Sequence, residues 1–458
     1  MKKITSKSLL LSAFLFAINL SIFSQNDLTF SKKTKSGKVR CASTEYEQYL
    51  RKNNVDRKNT VEFENWIAPK IQELKKQPNY NKGTEIITIP VVIHIIHNGD
   101  DVGKNENISD AQALSQITVL NQDYRKMLGT PGYNTNAVGA DVGIEFCMAQ
   151  RKPDGSPTNG IDRVKKTAAN YKSTVATEKM KTETQWDPEQ YLNIWTVYFS
   201  DDENAEMVGT LGYAQFPSTS KLSGLNNDEG DANTDGVVID YRYFGTSDIV
   251  NSLSEPDYDK GRTTTHEVGH YLGLLHIWGD GDGDSDSGAT DCTATDYCND
   301  TPQSGYEHYD CGSFDTCPSK PGKDMPENYM DYTNDVCMNI FTVNQRDRIL
   351  AVMNNSIRRK TLKTSTACNA VLNNNDFNYF YGVKLYPNPV KNVLNVSLAS
   401  NKMLDEYTIY NSLGQIIEHT NNPAINTLTI NTEFYNKGIY FIKLTKDNTT
   451  KTYRFIKK

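Results

Sequence analysis

Residues 263–278 read TTTHEVGHYLGLLHIW, and this stretch restricts the fold more tightly than any other. On a helix, positions i and i+4 share a face, so His266 and His270 can both present imidazole nitrogens to one ion about 2 Å away. Gly273 suits the positive φ that ends a helix, which lets the chain swing back and bring in His276 as a third ligand. The pattern predicts a helix over about 262–273, stopped by that glycine. Three protein ligands leave a fourth position for water, whereas a closed structural site wants four and has no use for a neighbouring acid that is not a ligand. Glu267 is such an acid, one step round the helix. Zn²⁺ lowers the pKa of a bound water from about 15.7 to about 7, and Glu267 is placed to take the proton, the arrangement of a hydrolase.

The rest of the chain sets the context. Its 458 residues suffice for several domains. With 37% apolar and 23% charged residues and few long apolar runs, it is neither a polytopic membrane protein nor a fully disordered one. Lys and Arg number 49 against 56 Asp and Glu, a net charge of −7 without a basic tract, so no nucleic acid partner is expected. Lys2, Lys3 and Lys7 precede the apolar run LLLSAFLFAINLSIF at 9–23, which reads as a secretory signal peptide over 1–24. The run is shorter than the roughly 20 residues of a membrane helix, so no integral membrane span is expected. Export makes the eight cysteines candidates for disulfides, and five of them crowd between Cys292 and Cys337.

Residues 25–84 are polar, with one amphipathic helix near 61–76, and read as a pro-segment. ITIPVVIHIIH at 87–97 is a β-branched run, hence a buried strand and the start of a core. The following segment predicts a long helix, with Ser109 and Gln112 as a capping-box pair and Leu114, Ile117, Leu120, Tyr124 and Leu128 along one face. Strands are expected at 191–199, 209–216 and 236–244. This is an α+β arrangement over 85–363. An Asn-rich and Thr-rich linker at 364–382 leads to short alternating strands at 383–458, a small all-β sandwich.

HExxHxxGxxH over 266–276, with Met330 in ENYMDY, resembles the metzincin metallopeptidases. Within them the chain resembles the pappalysin family, through IPVVIHIIHN, ISDAQALSQITVLNQDYR, FCMAQRKPDG, LGYAQFP, DGVVIDYRYFG, DTPQ and NYMDY, over about 85–355. The resemblance implies a metzincin catalytic domain with a twisted sheet, long helices and a zinc cleft, acting on protein or peptide substrates. LGYAQFP would pair with an extended substrate backbone. Met330 would lie beneath the zinc on a tight turn, and Tyr332 would assist the transition state. Cys41, in KVRCAST, resembles a cysteine switch whose thiolate occupies the zinc in a latent zymogen, although Gly-Thr is commoner than Ala42-Ser43 after it. Asp296 and Thr301 align with Ca²⁺ ligands of the family, and the acidic glycine-rich loop at 279–288 also suits Ca²⁺. The resemblance pairs Cys292 with Cys317 and Cys311 with Cys337, and leaves the pairing of Cys147, Cys298 and Cys368 open. Relatives that cut before basic residues carry an Asp just after the cysteine that corresponds to Cys337. Here Met338 stands there, with Asp335 as a possible substitute, so basic specificity is not asserted.

Residues 383–458 resemble the sorting domain of the type IX secretion system, through YPNP, VLNVSL, YNSLGQ and GIYFIKL. That implies the type IX machinery as a partner and a secreted or cell-surface location, reached through the periplasm of a Gram-negative bacterium. A carbohydrate-binding sandwich is the rival for this domain. An adhesin on an inactive protease scaffold is the rival for the whole chain, and the complete set of His266, His270, His276 and Glu267 weighs against it.

Overall fold

A computed structural model describes residues 32–34, 37–54, 56–78, 80, 86–166, 170–219, 232–251, 253, 255–370, 380, 383–397, 404–421, 427–446 and 449–458. The expected signal peptide and most of the expected linker lie outside these residues. The chain divides into two compact units, Met1–Ala370 and Val371–Lys458. No described helix is long and apolar enough to cross a membrane.

The first unit opens with helices α1 (Ser43–Asn53) and α2 (Thr60–Lys75). Strand β1 (Ile87–His97) follows, then helix α3 (Asp110–Tyr124), strands β2 (Ile144–Met148), β3 (Ile161–Lys165) and β4 (Asn170–Tyr171), and helix α4 (Thr174–Thr184). After these come β5 (Leu192–Phe199), β6 (Gly212–Ala214), β7 (Val237–Asp240) and helices α5 (Arg262–Tyr271), α6 (Val343–Asn355) and α7 (Arg359–Leu362). The sheet runs β2-β1-β5-β7-β6, with β3 also on β1 and β4 on β5. All of its pairings are parallel except that of β6 with β7. β1 is buried from Ile89 to Ile96, as its unbroken β-branched run requires of a central parallel strand. Ile87 and Ile93 donate toward β2 and the segment before β3, so the donor that Pro90 lacks faces β5, one residue before that pairing begins at Val91.

α3 departs from expectation at both ends. Ser109 accepts from the Gln112 N–H, but the Gln112 side chain does not return the bond; it donates to the carbonyls of Tyr241 and Phe244. Two tertiary carbonyls, rather than the local Ser109 N–H, orient this side chain. Ile117, Leu120 and Tyr124 are buried, whereas Leu114 is exposed and Leu128 lies beyond the helix, past the left-handed turn at Lys126 (φ 43°). The strand expected at 236–244 stops at Asp240, whose carboxylate accepts from the Arg242 N–H and starts a short 3₁₀ turn.

α5 packs against α3, β6 and β7. The segment before α1 lies on the open edge of β6: Val39 exchanges backbone hydrogen bonds with Gly209 and Leu211, Ala42 donates to Gly212, and the bridge of Val39 to Thr210 is parallel. α2 packs on α6, where Glu64 and Arg348 form a buried ion pair. Disulfides join Cys147 to Cys368, Cys292 to Cys317 and Cys311 to Cys337. Cys41 and Cys298 are buried free thiols.

The second unit has strands β8 (Lys384–Tyr386), β9 (Val393–Ser397), β10 (Glu406–Asn411), β11 (Ile416–Asn421), β12 (Thr427–Asn431), β13 (Gly438–Lys446) and β14 (Thr449–Lys457). They form two antiparallel sheets, β11-β10-β13-β14 and β12-β9-β8. Both sheets contribute to one core, with Val396 and Ile430 from one and Ile409, Ile442 and Phe455 from the other.

Candidate active site

α5 is buried along its whole length, so its polar side chains must be satisfied inside the protein. His266 and His270 lie one turn apart on it. The chain then turns at Gly273 with φ 95°, where a Cβ would come within 2.8 Å of Val352 Cγ2, so both conformation and space favour glycine. That turn returns His276 to the same place. The three Nε2 atoms lie 3.1 Å (His266–His270), 3.0 Å (His270–His276) and 3.2 Å (His266–His276) apart.

The other ring nitrogens fix what the Nε2 atoms carry. Nδ1 of His266 faces the carbonyl of Tyr329 at 2.7 Å, and that of His270 faces the carbonyl of Leu274 at 2.8 Å. Nδ1 of His276 faces Asp280 Oδ1 at 2.5 Å. A carbonyl or carboxylate only accepts, so each Nδ1 holds the proton and each Nε2 is left as a lone pair. Three lone pairs converging without a hydrogen between them repel one another unless a cation stands among them. Burial, together with the neighbouring imidazoles, holds His266 well below its ordinary pKa and brings His270 to about 3, so neither ring supplies that positive charge itself. The donor set fits a resident metal ion, and Cys41 Sγ completes it: one ligand atom from each of Cys41, His266, His270 and His276 lies within 4.8 Å of the others. No other such group of three or more His, Cys, Asp or Glu is found among the described residues.

Met330 is fully buried under α5, where a Cβ on Gly269 would meet its sulfur at 2.5 Å. It lies in a tight turn, with the Met330 N–H bonded to Asn328 Oδ1 and the Asp331 N–H to the Asn328 carbonyl. The Tyr332 ring stands 4.9 Å from that of His276 and 5.7 Å from that of His266. Its hydroxyl donates to the Cys41 carbonyl at 3.4 Å. Glu267 Oε2 accepts from Ser43 Oγ at 2.7 Å and from Cys41 Sγ at 3.4 Å. Burial pushes the Glu267 carboxyl to about 7, against the lowering effect of those two hydrogen bonds.

Beside this cluster Arg40, fully buried, reaches Asp335 Oδ1 at 3.0 Å, hydrogen-bonds Thr263 Oγ1 and lies over the Tyr258 ring. Met338 Sδ lines the same pocket, 3.8 Å from Nη2 of Arg40. Asp335 Oδ2 accepts from the N–H groups of Lys260 and Arg262, so one carboxylate holds both Arg40 and the start of α5. Farther off, Thr301 Oγ1 donates to Asp296 Oδ2 at 2.8 Å. Burial pushes the Asp296 carboxyl to about 7. The acids of 279–288 do not converge on one point: Asp280 belongs to His276, and Asp284 holds the N–H groups of Asp286 and Ser287. Sequence reasoning missed Ser43 and Asp280. Both stand within four residues of an assigned ligand, which was the available signal.

The family described as pregnancy-associated plasma protein-A matches residues 175–354, and that described as a secretion system C-terminal sorting domain matches residues 384–458. An extracellular metalloprotease of Arthroderma benhamiae is 30% identical over 264 residues, which is 57% of this chain and 76% of that protein. One of Colletotrichum graminicola is 30% identical over 270 residues, 58% and 76% of the two lengths. Mature mirolysin of Tannerella forsythia, solved with a cleaved peptide, is 38% identical and covers 61% of this chain and 97% of its own, with a TM-score of 0.51. A promirolysin mutant of the same organism is 34% identical, covering 71% of this chain and 97% of its own, with a TM-score of 0.53. A buried cluster of two histidines on a helix and a third brought back by the glycine turn after it, and metalloprotease relatives matched over most of their length, lead to one assignment: the chain belongs to the pappalysin family of metzincin metalloendopeptidases and is a secreted or cell-surface protein carrying a C-terminal secretion sorting domain.

Proposed function

We propose that the chain is the latent zymogen of a zinc endopeptidase that cuts protein substrates before Arg or Lys. The observation that carries this is the run Arg40-Cys41-Ala42-Ser43, which occupies three parts of the site at once. Arg40 fills the pocket over Asp335, Cys41 stands among the imidazoles, and Ser43 holds Glu267. A pro-segment over 25–84 that plugs the cleft in this way keeps the enzyme silent until it is removed. The greater share of this chain covered by promirolysin than by the mature enzyme supports that division.

His266, His270 and His276 would hold the zinc, with Cys41 as the fourth ligand in the latent form. Zinc supplies Lewis-acid chemistry for amide hydrolysis when bound there. Glu267 Oε2, freed of Ser43, takes a proton from the attacking water and passes it to the leaving amine. The Tyr332 hydroxyl, now at the Cys41 carbonyl, is placed to donate to the oxygen that becomes negative as the carbonyl is attacked. Arg40 supports the basic preference directly: a guanidinium already sits in the pocket beside the ligands, with Asp335 supplying the charge that Met338 lacks. That the pocket receives the residue after the cut is what the family resemblance implies.

Asp296 and Thr301 are proposed as ligands of a structural Ca²⁺, because a divalent cation would relieve the cost of burying Asp296. The sorting domain is proposed to engage the type IX machinery after transit through the periplasm of a Gram-negative bacterium. No nucleic acid enters this reading. The test is proteolysis by the processed protein before and after Glu267→Ala, with terminal sequencing of the cut peptides. Equal activity in the variant overturns the mechanism, and cuts without Arg or Lys on the new N-terminus overturn the specificity.

A further inference from the structure

We propose that His308, locked between Asp324 and Asp331, is a positioning residue for peptide hydrolysis, acting through the turn that carries Met330 and Tyr332. The inference rests on the role proposed for Tyr332. His308 is buried, and its two ring nitrogens meet two different carboxylates: Nδ1 lies 2.6 Å from Asp331 Oδ2 and Nε2 lies 3.0 Å from Asp324 Oδ2. A carboxylate accepts only, so both nitrogens donate and the ring is a cation. Its backbone N–H also donates, at 2.9 Å, to Asp331 Oδ1. The same Oδ1 accepts the Tyr332 N–H at 2.8 Å. Asp331 is thereby gripped on both oxygens by His308 and grips the backbone of Tyr332 in turn.

The ion pairs of Asp324 and Asp331 among the described residues are both with His308. Both carboxylates are buried, so no solvent replaces that partner. The ring cannot slide within the clamp, since Phe314 stacks on it at 4.4 Å and Thr316 holds Asp324 through its N–H and hydroxyl. Among the described residues, Tyr306, 5.7 Å away, is the other ring that faces it. At the far end of the chain of contacts, Tyr332 packs edge-on against His276 and Trp278 with its hydroxyl at the cleft. Losing the clamp frees the Tyr332 backbone while leaving every proposed metal ligand in place. The defect should therefore fall on turnover rather than on substrate binding.

Full-length protein, processed as for the wild type, is compared as His308→Gln, Tyr332→Phe and the double variant, with zinc content, kcat and KM measured on one peptide. The expected result is a tenfold or greater fall in kcat for each single variant with KM within twofold. In the Tyr332→Phe background, His308→Gln should then cost less than twofold more. The methyl signal of Met330 in ¹³C-methionine-labelled protein should shift in His308→Gln, a reading independent of turnover. If His308→Gln does not fold, Asp331→Asn, which puts an amide donor opposite the ring donor, should reproduce the fall in kcat. Wild-type kcat in a folded His308→Gln, or equal losses from that substitution in both backgrounds, overturns the inference while leaving the mechanism intact. Wild-type kcat in Tyr332→Phe overturns both the inference and the role proposed for Tyr332.

Discussion

Ser43 Oγ stands 2.7 Å from Glu267 Oε2 and accepts the N–H of Ala214, at the end of β6, at 2.8 Å. One hydroxyl of the proposed pro-segment thus occupies both the proposed base and a backbone donor of the strand expected to pair with substrate. In the proposed zymogen, two of the three contacts then act on the reacting centre itself: Cys41 withholds the fourth position at the metal and Ser43 withholds the carboxylate, while Arg40 fills the pocket. A hydrogen bond to a charged group contributes about 1.5–3 kcal/mol, which is roughly tenfold to a hundredfold in an equilibrium. Uncleaved Cys41→Ala proenzyme should gain only a small part of the mature activity, and Cys41→Ala with Ser43→Ala at least tenfold more. Peptide cleavage by intact proenzymes, checked by gel for absence of processing, measures this; equal activity of the two variants would show that Ser43 contributes nothing.

Arg40 and Asp335 are both fully buried, so their pairing is not screened by solvent. Breaking a buried pair from one side costs about 3–5 kcal/mol, because the remaining charge stays uncompensated. Asp335→Asn keeps an oxygen for the N–H groups of Lys260 and Arg262 but removes the charge. The processed variant should lose a hundredfold or more in kcat/KM on a peptide with Arg after the cut, and less than threefold on its Leu counterpart. Matched peptides under identical conditions give the ratio, and an unchanged preference would move the specificity elsewhere.

The parts of this site that a sequence discloses are those joined by short-range geometry. His266, His270, Gly273 and His276 lie within eleven residues, and helical spacing alone brings the first two to one face. β1 was legible for a similar reason, since a strand buried on both faces writes its burial into consecutive residues. Ser43 and Glu267 are 224 positions apart, and Cys147 and Cys368 are 221 apart. No local period reports such a meeting. Gln112 marks the limit from the other side: its spacing from Ser109 fits a capping box, yet two carbonyls far along the chain outbid the local donor. Met338 departs from the family pattern and leaves basic specificity open in the sequence, and the contact that supports the proposal, Arg40 with Asp335, joins residues 295 positions apart.

His308 also makes stability depend on pH. Burial alone would lower its pKa, but Asp331 and Asp324 reverse that and raise it to about 10. A folded pKa above the unfolded value of about 6.5 means the contribution is complete below pH 6.5 and is lost as pH rises through 10. The melting temperature of wild-type protein should therefore exceed that of His308→Gln most at pH 6, and the gap should narrow steadily by pH 10. Thermal unfolding followed by circular dichroism across that range checks it. A gap that widens with pH would mean the ring is neutral in the folded state.

The two metals proposed, having different ligands, should be separable by chelation. The imidazole and thiol donors of His266, His270, His276 and Cys41 suit zinc, while the oxygens of Asp296 and Thr301 suit calcium. A calcium-selective chelator should lower the melting temperature by several degrees while zinc content is retained, and added Ca²⁺ should restore it. Asp296→Asn should lower the melting temperature in calcium and abolish its response to that chelator, because the charge that draws the cation into a buried site is gone. A zinc-selective chelator should abolish peptide cleavage in wild type and variant alike. Metal analysis alongside differential scanning calorimetry reads each arm separately. Should the calcium-selective chelator leave the wild-type melting temperature unchanged, Asp296 would be a buried acid held by Thr301 and the Cys298 N–H alone.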